Sequence, residues 1–586
     1  MNALQQIKKA EQLVQAGQID LSIDLLKNII KKYPKQAQAQ GLLGLLYVFK
    51  KNDYLAEQHL LTSLSINFNV GVAKNLVTLF MQKKQWNNAY TWSNKLVAKT
   101  LHDVDTQLNH AVILRNINMY DDAIAIYDGL IQDNPQYLNA YNSYGFTLNQ
   151  LKRYQAAIDI YQKGLSINPH DYNLLYNIGI TYLNDFDYNN SLKYLNLALE
   201  KNNQSLDLWL TIAVCQAKIR DFNGAFRSIE QARTLDPNNL LVPFQMATTL
   251  MLLDKNHEAM SLLDQIIKKD PEHVEANYHK GLIYLKWGMF SKGLSYYRYR
   301  VKRIQNRIGR FNDFELPKLN KESEIIISRE QGIGDEILYL GLIKNIQTQV
   351  KSIIYIAQDK LCEWVKLNLP DTQVIKESES EPFIQEHHNL TPLNIASLMS
   401  YINDWDIFFN NQEIWKVDQK LREKYLQKYK RDNQRILGIS WISANKKIGD
   451  EKSIPLKQLA KVINNQKTIS LQYGDVQDEI HNINQENHLN IIHDDELDYF
   501  NDLNSLAALI SVCDRVVTCS NVTAHIAGRL GIKTYLLIPK FVGNIWYWNT
   551  TQNTSSWYPS VRIYKQTDDM SWDVPINLVK KDLNDN

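Results

Sequence analysis

The chain has 586 residues, enough for several domains or a long repeat array. Lys and Arg total 65 against 63 Asp and Glu, so no global positive field points to nucleic acid. The start, MNALQQIKKAEQLVQAGQ, is polar, and no run of about 18 apolar residues occurs after it, so the expectation is a cytoplasmic protein without a membrane span. Cys215, Cys362, Cys513 and Cys519 are scattered. They lack the spacing and His neighbours of a zinc site, so buried free thiols are expected.

The first half repeats itself. Gly145, Gly179 and Gly281 share a register with Ala111, Ala213 and Ala247, at a period of about 34 residues. A second small column falls twelve positions later, at Ala123, Ala157, Ser191, Ala225, Ala259 and Gly293. Pro135, Pro169, Pro237 and Pro271 recur near the repeat ends. Between 4 and 103 the columns weaken to Gly44, Ala56, Ala89 and Pro34. Each repeat reads as a helix pair: small residues let the helices cross closely, and proline ends the second helix because it has no N–H to donate. The pattern, seen in LNAYNSYGFTLNQLKRYQAAIDIYQKGLSINPHD at 138–171, resembles the tetratricopeptide repeat. It predicts about nine repeats over 1–307 and an α superhelix with a concave groove. Two residues before the first small column stand Asn75, Asn109, Ser143, Asn177, Thr211, Gln245 and His279. They read either as a solvated face or as a ladder that binds the backbone of an extended peptide. The repeats of the nucleocytoplasmic O-linked N-acetylglucosamine transferase look similar in this column. Terminal repeats are also candidates for a homodimer contact.

After a linker at 308–322 the period changes. EIIIS (324–328), SIIYIA (352–357) and TQVIK (372–376) read as strands. A second set comprises RILGISW (435–441), TISLQY (468–473), NIIH (490–493), RVVTCS (515–520), KTYLLIP (533–539) and VRIYKQ (561–566). Helices are expected at 335–348, 360–368, 391–402, 455–464, 501–512 and 521–530. Such alternation predicts parallel sheets with crossover helices, here as two doubly wound lobes at 323–415 and 435–586 joined by an interlobe helix or linker at 416–434. A ligand site is expected where loops and helix N-termini meet at the carboxyl ends of the strands. EQGIGDEI (330–337) is the loop after the first strand, and reads either as a tight structural turn or, with Glu330, Gln331, Gly332 and Gly334, as a wall of that site. On its own this G-x-G is a weak signal, because Ile337 stands where a full dinucleotide fingerprint has glycine.

Three segments are more specific together: SREQGIGDEILYLGLI (328–343), GISWISANKKIGDEKSIPLKQL (438–459) and SLAALISVCDRVVTCSNVTAHIAGRLGIKTYLLIP (505–539). With WYWN (546–549) and SSWYPSVRIYKQ (555–566), they resemble tetratricopeptide proteins carrying a heptosyltransferase-like, glycosyltransferase family 9-like GT-B domain. The resemblance covers most of 320–575. It implies two Rossmann-like lobes, a nucleotide-sugar donor on the second, an acceptor on the first, and no cofactor or metal. It also implies that Asp335 is the general base that takes a proton from the acceptor hydroxyl; the alternative is a helix cap. Glu330 and Glu336 are alternative carboxylates, Glu336 facing elsewhere. Lys452 matches a lysine aimed at the donor diphosphate, or else is a surface lysine, with Lys446 and Lys447 as substitutes. Ser443 and Asn445 are candidates for phosphate contacts. Ser520, Asn521, Val522, Thr523 and His525 form an expected anion site at a helix start, with His525 either contacting the donor or packing. Ser520 replaces the Asp that many relatives carry, which puts the sugar and the activity in question. The aromatic cluster of Trp546, Tyr547, Trp548, Trp557 and Tyr558 is read as packing in preference to a stacking site. Asp494-Asp495-Glu496 is read as a solvated acidic run, and His387-His388 as incidental.

The function this implies is sugar transfer from a nucleotide diphosphate donor to a hydroxyl of a protein held by the repeats. The alternatives are an inactive scaffold, or a transferase acting on a glycan or lipid-linked acceptor.

Overall fold

A computed structural model describes residues 2–304, 311–430, 434–445, 448–463, 466–548 and 553–585. The chain forms two compact units, 1–235 and 236–586. Lys446 and Lys447 lie outside the described residues.

The first unit is built from helix pairs, from Ala3–Gln15 with Ile19–Lys32 through Leu206–Lys218 with Phe222–Leu235. The small columns sit where the paired helices cross. A Cβ added at Gly179 would lie 2.6 Å from Leu195, and Ala123, Ala157 and Ala225 are fully buried. Pro34, Pro135 and Pro169 each stand two residues beyond the end of a second helix. The turn inside each pair is fixed by one left-handed residue: Gly17, Lys51, Lys84, Asn118, Lys152, Phe186 and Arg220, with Asp254 and Gly288 continuing the series in the second unit. That register, like the small columns, repeats about every 34 residues. It closes the first helix of each pair with the backbone bonds of a left-handed C-terminal cap; Lys152, for example, donates to Asn149 and Arg153 to Leu148.

The second unit begins with two further pairs, Leu241–Leu252 with Asn256–Lys269 and Val274–Lys286 with Phe290–Tyr297. The repeat pattern therefore runs on past the division at 235/236. The last pair is welded to the α/β region: Leu285, Leu294 and Tyr297 share one hydrophobic cluster with Ile325, Ile337 and Leu340. Residues 311–322 also pack down. The buried Asp313 accepts the Asn394 amide at 2.7 Å, and Tyr401 donates to the Pro317 carbonyl.

Four strands, β1 (Glu324–Ser328), β2 (Ser352–Ala357), β3 (Gln373–Lys376) and β4 (Thr391–Asn394), form a parallel sheet in the order β3-β2-β1-β4. The helix expected over 391–402 is absent. Residues 391–394 pair with β1 as an edge strand, and a 3-10 turn, Ile395–Tyr401, comes next. Pro392 fits because an edge strand needs only one hydrogen-bonding side. Six more strands, β5 (Ile436–Ser440), β6 (Lys467–Ser470), β7 (Ile491–Ile492), β8 (Arg515–Cys519), β9 (Lys533–Ile538) and β10 (Val561–Lys565), form a second parallel sheet ordered β10-β9-β8-β5-β6-β7. Each order reverses direction once, at β1/β4 and at β5/β8. Such reversals open a crevice at the carboxyl ends of the strands. Among the described residues, no helix is long and apolar enough to cross a membrane.

Candidate functional site

One cleft of about 220 Å³ lies at these reversals. The first sheet contributes Gly332, Gly334 and Asp335 from the loop after β1 and the helix Ile333–Leu340. The second contributes Ser443 and Asn445 after β5, then Lys452, and Ser520, Asn521, Val522 and His525 after β8. Side chains far apart in sequence thus line one space.

Asp335 stands in the first turn of its helix, where its carboxylate accepts the Gly332 N–H at 3.2 Å. It therefore does cap the helix while also facing the cleft. Burial raises its pKa; the Tyr547 hydroxyl, the Lys452 charge and the Gly332 amide pull it back. Lys452 is 5% exposed, so it is not a surface lysine. Burial lowers its pKa and Asp335 opposes that shift. Among the described residues none accepts a hydrogen bond from its ammonium, which leaves a desolvated cation in the cleft wall. His525 is buried, its pKa pushed down to about 3 by burial and by Lys452 and Arg529, so it is neutral at physiological pH. It packs against Trp548 at 4.8 Å between ring centres and lies 3.2 Å from the Tyr558 hydroxyl. It also presses on the first lobe: a Cβ at Gly334 would lie 2.8 Å from its Cδ2.

The β5/β8 crevice is braced by amides. Asn521 accepts from Thr518 and the Thr523 N–H, and donates to Ser440 Oγ at 2.7 Å and to the Ile442 carbonyl. Its side chain is thereby engaged in bracing. Gln472 accepts from Ser440 Oγ and from the Trp441 and Ile442 amides, which fixes the start of the 441–445 loop. Ser520 Oγ accepts the Trp548 indole N–H at 2.9 Å.

Four sequence expectations are corrected. Glu330 does not line the cleft: it is 1% exposed and paired to Arg300 at 2.9 Å, because a buried carboxylate needs a charge partner. Gln331 turns to the Tyr297 hydroxyl at 2.8 Å. Thr523 is fully buried outside the lining. Asp494 is not solvated: it is 3% exposed and held by Lys428 and Tyr429. Glu336 faces away from the cleft, accepting from Tyr355 and the Gln358 N–H. The five aromatics at 546–558 are all buried, and of them Tyr547 reaches the lining. All four cysteines are buried and free.

Lys360, Tyr473, Tyr499 and Phe500 also line the cleft and carry no local motif that would announce them. Phe500 is 56% exposed at the wall; the Lys360 ammonium sits 4.0 Å from its ring and donates to its carbonyl at 3.0 Å.

In the first unit, Asn75 donates to its own helix at Gly71 and Thr211 to Asp207. Asn177 donates to Asn142 of the preceding repeat at 2.6 Å, so part of the polar column bonds within the protein. Asn109 and Ser143 are half-buried. Gln245 and His279 belong to the second unit, where His279 bonds the Glu275 carbonyl.

A tetratricopeptide repeat family model matches residues 108–172. Protein FlbA of Caulobacter vibrioides is 30% identical over 117 residues, covering 20% of this chain and 19% of FlbA. The chain thus matches about a fifth of the length of that curated relative. Among solved structures, YrrB, described as a tetratricopeptide protein with an unusual peptide-binding site, is 22% identical over 32% of this chain and 97% of its own, with a TM-score of 0.27. A tetratricopeptide protein from Parabacteroides merdae is 15% identical over 45% and 92%, with a TM-score of 0.33. The helix pairs and the family match together establish tetratricopeptide repeats in the N-terminal part, ahead of an α/β region with parallel sheets.

Proposed function

We propose that the α/β region is a GT-B glycosyltransferase domain that moves a sugar from a nucleotide diphosphate donor to a hydroxyl of a protein held by the repeats. The observation that carries this reading is the pairing of Asp335 with Lys452 across one cleft, a desolvated carboxylate from the first lobe and, from the second, an ammonium without a hydrogen-bond acceptor among the described residues. Their chemistry is complementary to such a transfer. Asp335 takes the proton of the acceptor hydroxyl as its oxygen attacks the anomeric carbon. The bond from that carbon to the diphosphate breaks, and Lys452, with the backbone N–H groups that open the helix Val522–Arg529 other than that of Thr523, stabilises the charge on the leaving nucleotide. Neutral His525 leaves that charge balance to Lys452. The polar column of the repeats offers the protein acceptor its binding surface. The proposed transfer needs no metal or cofactor.

A second reading is a catalytically inactive, protein-binding scaffold. It is favoured by Asp335 already serving as a helix cap and by Ser520 being engaged with Trp548. A third keeps the transferase but gives it a glycan or lipid-linked acceptor; removing 1–235 then spares the activity. Isothermal titration with UDP, GDP, ADP, CMP and dTDP, wild type beside Lys452→Ala, separates the first two. One nucleotide binding tightly and losing affinity in the variant supports the transferase. Silence across the panel supports the scaffold.

A further inference from the structure

The glycine loop that leads into Asp335 is gripped from outside its own lobe. Arg300, in the short helix Arg300–Ile304 beyond the last repeat, forms a two-pronged pair with Glu330, with Nε and one terminal nitrogen each 2.9 Å from a carboxylate oxygen. The same terminal nitrogen donates to Ser397 Oγ at 2.6 Å, and Glu330 also accepts the Ala396 N–H. Both partners are almost wholly buried, with side chains 4% and 2% exposed. One residue on, Gln331 holds a left-handed backbone with φ of 64°, a conformation that costs a non-glycine residue energy and persists where its surroundings enforce it. The enforcement again comes from the repeats: the Gln331 side-chain amide donates to the hydroxyl of Tyr297, at the end of the last repeat helix. Arg329 adds a bond to the Gln331 carbonyl. Two consecutive loop residues are thus pinned by side chains of the repeat junction, and Gly332, whose N–H binds Asp335, comes next.

We propose that Tyr297 and Arg300 are positioning residues for the Gly332–Asp335 turn, so that the last repeats belong to the cleft's machinery and are not a detachable module beside it. A buried ion pair is a poor source of net stability against an apolar alternative, but it fixes geometry, because either partner left alone is a buried unpaired charge. The arrangement here serves that end: the charges hold residue 330, the phenol holds residue 331, and the strained backbone between them has one orientation in which both are satisfied. The catalytic role of Asp335 rests on the transferase reading; the positioning itself does not.

The test is hydrogen–deuterium exchange on the full chain, comparing wild type with Tyr297→Phe, Arg300→Lys and Arg300→Met. Tyr297→Phe keeps the ring and every charge and removes one hydroxyl, so it tests the loop where Arg300→Met fails to fold. The expected result is exchange about tenfold faster in 329–336 for Tyr297→Phe, with β5 and β8 unchanged. Arg300→Lys, which keeps the charge but loses the fork, is expected to fall between wild type and Arg300→Met. Unchanged exchange at 329–336, or an increase spread evenly over the second unit, overturns the proposal. If a nucleotide-sugar substrate is found, Tyr297→Phe is further expected to lower kcat several-fold at unchanged donor affinity. A protein that binds no nucleotide but shows the local exchange signature retires the transferase reading and leaves the positioning intact.

Discussion

Gly341 leaves the room that Arg529 occupies: a Cβ at Gly341 would collide with the guanidinium. From the helix Val522–Arg529, Arg529 donates to the Leu338 carbonyl at 2.6 Å, to the Ile337 carbonyl, and to Gln412. Two helices that begin at the cleft, one on each lobe, are therefore tied together near their far ends. The arginine satisfies carbonyls that the end of a helix leaves unpaired.

Gly341→Ala is expected to destabilise the second unit by about 2–4 kcal/mol, since the methyl must displace a buried cation bonded on three sides. Chemical denaturation followed by tryptophan fluorescence measures this. A loss within experimental error of zero means that the guanidinium has somewhere else to go.

Asp335→Asn is expected to abolish transfer while nucleotide affinity stays within about twofold, because the amide keeps the size and loses the base. On the transferase reading, Asp335 must be ionised in the wild type to accept the proton. Its pKa lies above the ordinary 3.8, so the rate falls as pH drops through that raised value. Tyr547→Phe removes a bond that favours the charged form, and should move this acid limb to higher pH. A limb that stays in place takes Tyr547 out of the proton chemistry.

Lys452→Ala is expected to weaken nucleotide diphosphate binding by about 10- to 100-fold, the size of a lost charge-assisted contact. Wild-type affinity should also decline at alkaline pH sooner than an ordinary lysine allows, because burial lowers this pKa. Calorimetry across a pH series reads both effects.

Glu336 makes the second unit sensitive to pH in a defined direction. Burial raises its pKa from 4.5 to about 7, so the folded protein holds this proton where the unfolded chain has released it. That contribution to stability is complete below about pH 4.5 and is lost as pH rises to about 7, a change of a few kcal/mol. Glu336→Gln should flatten this part of the stability–pH curve and make the protein more stable at pH 8. Denaturation midpoints between pH 4 and 8 test the claim.

Lys152 is exposed and left-handed in the turn of its repeat, where glycine is free of the Cβ clash. Lys152→Gly should raise the stability of the first unit by about 1 kcal/mol. A loss instead would mean that the added freedom of the unfolded chain outweighs the relieved strain.

The repeats were legible because small residues and prolines must recur where helices cross and stop. The left-handed column was not: Lys, Asn, Phe, Arg and Asp share no chemistry there, and backbone bonds set their conformation. The strands showed as β-branched runs, apart from β4, whose four residues TPLN are too short and too proline-bearing to stand out. At the cleft, Gly332, Gly334, Asp335, Lys452, Ser443, Asn445, Ser520 to Val522 and His525 came from three contiguous motifs. Lys360, Tyr473 and the adjacent Tyr499 and Phe500 arrive from three separate segments, so only folding brings them together. The place of Glu330 is hidden in the sequence for the same reason: its partner Arg300 lies thirty residues earlier, in a different type of structure.

The left-handed turn recurs unchanged from Gly17 to Gly288, yet the surroundings of those turns do not. Upstream of residue 235 each helix pair meets others of its own kind, so the tract can lengthen or shorten by whole pairs without altering a single bond at Asp335. Downstream, the last pair and the short helix after it are keyed to one particular neighbour through Leu285, Leu294, Tyr297 and Arg300. Whole helix pairs of the first unit can therefore vary independently of the α/β region, while the last pair must change in step with the residues it packs against.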